Sequence, residues 1–334
     1  MGEVIRIEVG REPQRCTATT KAGARCRNRA IGDGLCRVHQ PGSGPPTSQL
    51  RAEEPTGDES IERFLDFLGR RLAGDYVVDE FGFDEELTET VLAAIARPLY
   101  RDWWRTEWVG MENVPAGGAA LLVANHAGTV PWDAVMMKFG LLDLHPAHRH
   151  VRLLAADLVF RMPFIGELAR KSGNTLATEE DAFRLLDRGE LLGVFPEGFK
   201  GVGKLYRDRY KLQRFGRGGF IQIALRAKAP IIPVSIVGSE EIHPLISRGR
   251  PLARMFGLPY FPITTTFPWL GPLGLVPLPS KWIIEFGEPI PTDGFPDDAW
   301  QDALTVFELT DQVRDTIQQT LHRNLARRGS AFRR

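Results

Sequence analysis

The sequence predicts an α/β fold: a largely parallel central sheet flanked by helices, with a small metal module added at the N-terminus. Two observations predict the sheet. Short apolar runs alternate with helix-period stretches from about residue 106 onward, which is the pattern of strands joined by crossover helices. At 43% hydrophobic and 25% charged residues, the chain has material for a large core. A third observation predicts the module. All three cysteines precede residue 40, in a basic segment poor in large apolar side chains.

Residues 11–40 are that module. Cys16, Cys26, Cys36 and His39 are separated by nine, nine and two residues. Three thiolates and one imidazole form an accepted structural Zn²⁺ set, and the closing Cys-x₂-His is a good chelating pair. The segment has too little apolar surface to fold unaided, so metal binding would supply that free energy. Three unrelated thiols are the alternative. Arg15, Lys21, Arg25, Arg27, Arg29 and Arg37 leave nucleic acid, anionic lipid or an acidic protein open as partners of the module. Residues 41–58 are rich in Pro, Gly, Ser and acid and read as a flexible linker.

Residues 59–105 read as a helical extension, with helices over 61–72 and 83–100. In the second, Leu87, Val91, Leu92, Ile95 and Leu99 fall near helical spacing. Trp103, Trp104 and Trp108, interleaved with Arg101 and Arg105, suit a bilayer interface or a packed hinge equally. A domain over 106–326 follows. Strands are expected at 119–124, 151–155, 191–195, 230–237 and 282–286, and helices at 132–139, 179–187 and 218–227. Thr178 is the expected N-cap of helix 179–187, with Asp181 three residues on and Gly189 beyond its end. A last helix over 297–323 would bury Trp300, Leu304, Phe307, Val313, Ile317 and Leu321, and the basic tail after it would fray.

Bulk properties exclude several classes. Formal net charge is zero, so any polyanion site must be a local patch. No secretory leader and no transmembrane helix is expected, since no basic start leads into a long apolar run and no stretch of about 18 uninterrupted apolar residues occurs. The most apolar segment, 267–279, is too short to span a bilayer and holds four prolines; it is interfacial or buried. Few cysteines and no leader point to a cytoplasmic protein.

Two strand ends carry the candidate chemistry, because ligands gather at the carboxyl ends of strands in open α/β sheets. Strand 119–124 runs into Asn125-His126. Pro131 suits a first helical turn, which sets Asp133 in that turn. A loop folded back would let the Asp133 carboxylate accept a hydrogen bond from the imidazole, fixing its tautomer and raising the basicity of the other nitrogen. A surface histidine near a helix start is the bland alternative. Strand 191–195 ends at Pro196-Glu197-Gly198. Glu197 can accept from hydroxyls, and Gly198 permits close backbone approach. Lys200, Lys204, Arg207, Arg209, Lys211, Arg214 and Arg217 follow, against Asp208 alone. Such a run suits phosphates, with a solvated surface as the alternative. Tyr206, Tyr210 and Phe215 offer little stacking, so nucleic acid is not expected on this domain.

Asn125-His126 with Asp133, then Phe195-Pro196-Glu197-Gly198, resembles the glycerolipid (lysophospholipid) acyltransferase superfamily. The likeness covers roughly 106–290 and includes the stretch 108–115 and Ile232-Pro233-Val234. The resemblance implies His126 and Asp133 as the catalytic pair. It also implies that the loop with Glu197 and Gly198 helps bind the acceptor. Asn125 and Gly128 are expected to line the substrate site with them, and Lys200, Lys204, Arg207 and Arg209 to meet the phosphates of the acyl thioester. The family has four residues between His and Asp, whereas this sequence has six, so two residues must bulge near Gly128 and Pro131. Many members carry an Arg that meets acceptor phosphate; the matching stretch 173–179 has none, which points toward neutral acylglycerols or other lipid alcohols.

The resulting expectation is an acyltransferase, peripheral on the inner face of the membrane. It would move an acyl group from a coenzyme A or acyl carrier protein thioester to a lipid hydroxyl, with no catalytic cofactor. Backbone amides near Gly128 or Gly198 are the oxyanion candidates. A catalytically inactive lipid-binding scaffold and an adaptor driven by the zinc module are the alternatives.

Overall fold

The computed structural model describes residues 57–332. The predicted metal ligands Cys16, Cys26, Cys36 and His39, and nearly all of the linker, lie outside the described residues. Contacts divide the chain into Met1–Asp66 and Phe67–Arg334. Helix α1 (Gly57–Ala73) carries the boundary.

A seven-stranded sheet organises the larger unit, in the order β1-β9-β6-β2-β5-β3-β4. Its strands are β1 (Glu107–Val109), β2 (Ala120–Ala124), β3 (Val151–Ala155), β4 (Asn174–Leu176), β5 (Leu191–Val194), β6 (Ile231–Val237) and β9 (Ile283–Phe286). All neighbours pair in parallel except β6 and β9. β7 (Leu245–Ser247) and β8 (Ile263–Thr264) form a separate antiparallel ribbon. β1 and β4 were not foreseen: three residues each, reading Glu-Trp-Val and Asn-Thr-Leu, carry no apolar run.

The sheet is covered on both faces, which is why β2 and β6 are buried throughout. Leu121 and Val123 pack with α7 (Glu179–Asp187), α9 (Gly219–Arg226) and α11 (Ala303–Arg328). Ala120, Leu122 and Ala124 face α3 (Ala93–Pro98) and α4 (Trp132–Leu144). Between β3 and β4 run two short helices the sequence reading passed over, α5 (Asp157–Arg161) and α6 (Ile165–Lys171).

Several expectations change. In the helical extension the second helix is interrupted: α2 (Glu85–Leu87), a π turn (Thr88–Leu92), α3 and a second π turn (Leu99–Trp103) run on together. Pro98, at the end of α3, lacks an N–H and disturbs the ladder. Trp104 is fully buried, stacked on Trp282 at 4.7 Å, and Trp108 fills the notch left by Gly140, so the packed hinge is what forms there. α11 begins at its N-cap Asp302, which rotates the buried stripe to Val306, Leu309, Val313, Ile317 and Leu321. Leu304 and Phe307 are each 63% exposed. The helix continues through Arg328, which is buried against Glu241 at 2.8 Å, so the basic tail is partly core. Segment 267–279 is largely exposed, with Trp269 at 70%.

Candidate active site

β6, β2 and β5 are neighbours that run the same way, so their carboxyl ends deliver three loops to one rim. β2 delivers Asn125-His126, β5 delivers Phe195 to Gly198, and β6 delivers Gly238 to Glu241. Asn125 is fully buried and bridges two strands: its Nδ2 donates to Ile236 O (3.0 Å), and its Oδ1 accepts from Ile236 N–H (2.7 Å). It fixes where β2 ends rather than facing a ligand.

His126 follows at the rim. Its Nδ1 lies 2.8 Å from Asp133 Oδ2. Asp133, wholly buried, also accepts from Ala127 N–H at Oδ2 and from Ala134 N–H at Oδ1, each at 2.8 Å. A carboxylate used this way only accepts, which assigns the proton of the contact to His126 Nδ1. Nε2 makes no hydrogen bond to the described residues, and an imidazole held like this can take a proton there. The ring leans on Phe195, with centroids 4.5 Å apart.

The six-residue interval between His126 and Asp133 is closed by two left-handed residues. Gly128 has φ +94°, and a Cβ there would sit 2.6 Å from Ser239 O. Thr129 has φ +68° despite its branched side chain. Its N–H donates to Val202 O (3.2 Å), its Oγ1 to His243 O (3.1 Å), and its carbonyl accepts from Tyr260 (2.6 Å). Neighbouring loops over-determine the strained residue, as strain at such a place requires. Burial pushes the Tyr260 hydroxyl pKa well above its ordinary value, reinforced by Asp133, so that donor stays protonated.

Beneath the histidine lies a network of ionisable groups. Glu197 accepts from His126 N–H at Oε1 (3.0 Å) and from Gln213 N–H at Oε2 (2.6 Å), with Lys204 Nζ 3.4 Å away. Lys204 also meets Glu240 at 3.1 Å, and Glu240 accepts from Tyr210 N–H at 2.8 Å. Tyr210 donates to Glu241, which Arg328 also holds. Burial pushes Glu240 up to about 7; Lys204 pulls it back, and Glu197 adds to the rise.

Two predicted ligands are thereby reassigned. Glu197 is buried and braces the His126 backbone, so its oxygens are not presented to an acceptor hydroxyl. Lys204 is neutralised inside this network, not part of the exposed basic run. Lys200, Arg207 and Arg209 do stand at the surface, with Arg209 over the Tyr206 ring at 4.5 Å. Gly198 starts α8 (Phe199–Val202) at φ +53°, and its N–H is committed to Phe195 O. Glu240, Glu241, Tyr210, Tyr260 and Arg328 were missed. Two adjacent acids just beyond the end of the wholly buried β6 were the available signal. Gly201 was missed as well: a Cβ there would lie 2.6 Å from His126 O.

Comparisons with known proteins identify the family. The family model described as Acyltransferase matches residues 105–237, a span that holds all of β2, β5 and β6. An uncharacterized protein of Mycobacterium tuberculosis is 55% identical over 294 residues, 88% of this chain and 82% of its own length. An uncharacterized protein of Mycobacterium leprae is 56% identical over 286 residues, 85% of this chain and 78% of its own. A protein of Bos taurus named "DGAT1/2-independent enzyme synthesizing storage lipids" is 26% identical over 66% of this chain and 60% of its own length. The crystal structure of a 1-acyl-sn-glycerophosphate acyltransferase from Thermotoga maritima has a TM-score of 0.49 and 18% identity, covering 81% of this chain and 96% of that one. The protein is therefore an enzyme that transfers acyl groups. It belongs to the glycerolipid acyltransferase superfamily.

Proposed function

We propose that the enzyme moves a fatty acyl group from an acyl thioester, carried by coenzyme A or acyl carrier protein, to a hydroxyl of a neutral acylglycerol or other lipid alcohol. The contact of His126 Nδ1 with Asp133 Oδ2 at 2.8 Å carries the reading. With Nδ1 occupied, Nε2 takes the proton of the acceptor hydroxyl as its oxygen attacks the thioester carbonyl. The tetrahedral intermediate then expels the thiolate, and no covalent enzyme intermediate is needed. The Gly128 N–H, which donates to no described residue, is the oxyanion donor we favour over the committed Gly198 N–H. Lys200, Arg207 and Arg209 would meet the phosphates of the thioester carrier.

Two observations favour a neutral acceptor. The stretch 173–179 carries no arginine, and the bovine relative is named for making storage lipids. The enzyme works, in this reading, at the inner face of the membrane; no helix among the described residues is long and apolar enough to cross one. The inactive scaffold drew its support from the widened His–Asp interval. The bulge at Gly128 and Thr129 brings His126 and Asp133 to 2.8 Å across it, which supports the enzymatic reading.

The test is His126→Ala. Thioester consumption with a panel of lipid alcohols is expected to fall by roughly 10²–10⁴ while the melting temperature stays put. Near-normal turnover in the variant would remove the proposed base.

A further inference from the structure

After β6 the chain leaves the sheet and returns only at β9. Between Glu241 and Glu285 this excursion holds no acidic residue, yet it holds Arg248, Arg250, Arg254 and Lys281. In a chain with 42 bases and 42 acids, the absence of acids leaves this excursion with a local net positive charge. Lys281 is within 3.8 Å of Glu107. Arg250 and Arg254 are exposed and have no ion-pair partner among the described residues.

The same excursion turns apolar side chains outward. Met255 is 68% exposed and Leu273 74%, and Phe256, Trp269, Leu270 and Leu275 are exposed with them. Scattered apolar residues on a surface need no explanation, but a contiguous group does. Here the two halves are joined by ring contacts: Phe256 stacks on Phe261 at 6.0 Å, and Phe261 meets Phe267 at 5.8 Å. Local bonds hold the group in shape. β7 pairs with β8, Trp269 Nε1 donates to Thr264 O (3.2 Å), and Thr266 Oγ1 donates to Gly274 O (3.0 Å).

The excursion is also bonded to the catalytic rim. Tyr260 donates to Thr129 O at 2.6 Å, and Arg248 Nε donates to Gly203 O at 2.8 Å. These bonds reach the loop after His126 and the loop after Glu197. Whatever the apolar group enters is thereby set close to the catalytic histidine.

We infer that the excursion between β6 and β9 is the surface by which the enzyme docks on an anionic lipid bilayer. Its indole and aliphatic side chains enter the boundary between headgroups and acyl chains, where such groups are stable. Arg250 and Arg254 meet lipid phosphates. A second copy of this chain is a poor occupant, because two basic patches would face each other. The inference rests on the lipid-acceptor reading in one respect: docking here brings a bilayer-borne hydroxyl to His126.

The test is flotation of the full chain with vesicles of phosphatidylcholine alone and of phosphatidylcholine with phosphatidylglycerol. Binding to the anionic vesicles is expected, weakening with added salt. Arg250→Glu with Arg254→Glu should weaken it by roughly 20-fold or more, since each cation near an anionic surface is worth about fivefold. Trp269→Ser with Leu273→Ser should weaken it independently; all four side chains are exposed, so both doubles should melt like the parent apart from the small cost of losing the Trp269 Nε1–Thr264 O bond. Both doubles binding like the parent would overturn the inference. So would a parent that dimerises without lipid and becomes monomeric in the Trp269→Ser, Leu273→Ser double while still floating. Turnover with a water-soluble acceptor separates the two readings. If the parent floats as expected but transfers no acyl group to any acceptor, docking stands and the acyl-transfer chemistry falls. If it turns over while floating is indifferent to both doubles, docking alone falls.

Discussion

Lys138 and Lys204 are buried to nearly the same degree, at 3% and 5% exposure, and end in opposite electrostatic states. Lys204 stands at the rim beside Glu197, which accepts from the His126 N–H. Burial pushes its pKa down, but Glu240 and then Glu197 more than offset this, and it finishes above the ordinary lysine value. Lys138, on α4, faces the other end of the sheet, near Gly173 at the start of β4. Its Nζ has no hydrogen-bond partner among the described residues, and Phe83 offers only a ring face at 5.9 Å. Burial, aided by Arg152, pushes it down to about 7. The difference teaches that burial alone does not decide whether a charge persists; the partner does. At the rim the persisting charges tie together the loops from β5 and β6. At the opposite end an amine that can give up its proton is tolerated.

Removing each amine should separate the two sites most sharply. Lys204→Met strands Glu197 and Glu240 as buried carboxylates without their cation. A loss of about 3–5 kcal/mol is expected in denaturant unfolding near neutral pH, with turnover falling because Glu197 holds the His126 N–H. A cost below about 1 kcal/mol would dissolve the contrast. Lys138→Met should instead be neutral or stabilising, since it removes an amine that burial disfavours. Its signature lies in pH dependence. The folded pKa lies near 7 and the ordinary value is 10.5, so between them the unfolded chain binds more protons. The parent should therefore gain stability as pH rises through that window, with a slope of up to ~1.4 kcal/mol per pH unit. Lys138→Met should lack that part of the slope. Identical slopes in parent and variant would show that Lys138 keeps its proton.

This contrast also marks what the sequence could convey. The apolar runs of β2, β5 and β6 were legible because covered strands must be apolar throughout, and their ends gave the places of His126 and Glu197. The His126–Asp133 contact was legible too, since Pro131 starts a helix and pins Asp133 within reach. The roles of Glu197 and Lys204 were not. Whether Lys204 is solvated depends on Glu240, 36 residues onward, and no local pattern carries that information. The stripe of α11 was misread for a simpler reason: its start was set at 297, five residues before the capping Asp302. The segment 267–279 stayed ambiguous because Pro and Gly remove any period from it, leaving composition without direction.

The smallest expected effect belongs to Glu240, and it runs opposite to that of Lys138. Burial raises this carboxyl from its ordinary 4.5 to about 7, so between those values the folded protein binds more protons than the unfolded chain. Its contribution to stability is fully present below about 4.5 and is lost as pH rises through about 7. Glu240→Gln keeps an oxygen for the Tyr210 N–H but cannot titrate. From pH 4.5 to 7 the parent should lose stability relative to this variant, by at most ~1.4 kcal/mol per pH unit. That window is narrower than the one for Lys138. Unfolding curves for both proteins across the range check it. Parallel curves would mean that Lys204 holds Glu240 ionised throughout, and the rim would then owe its order to a fixed ion pair across the whole range.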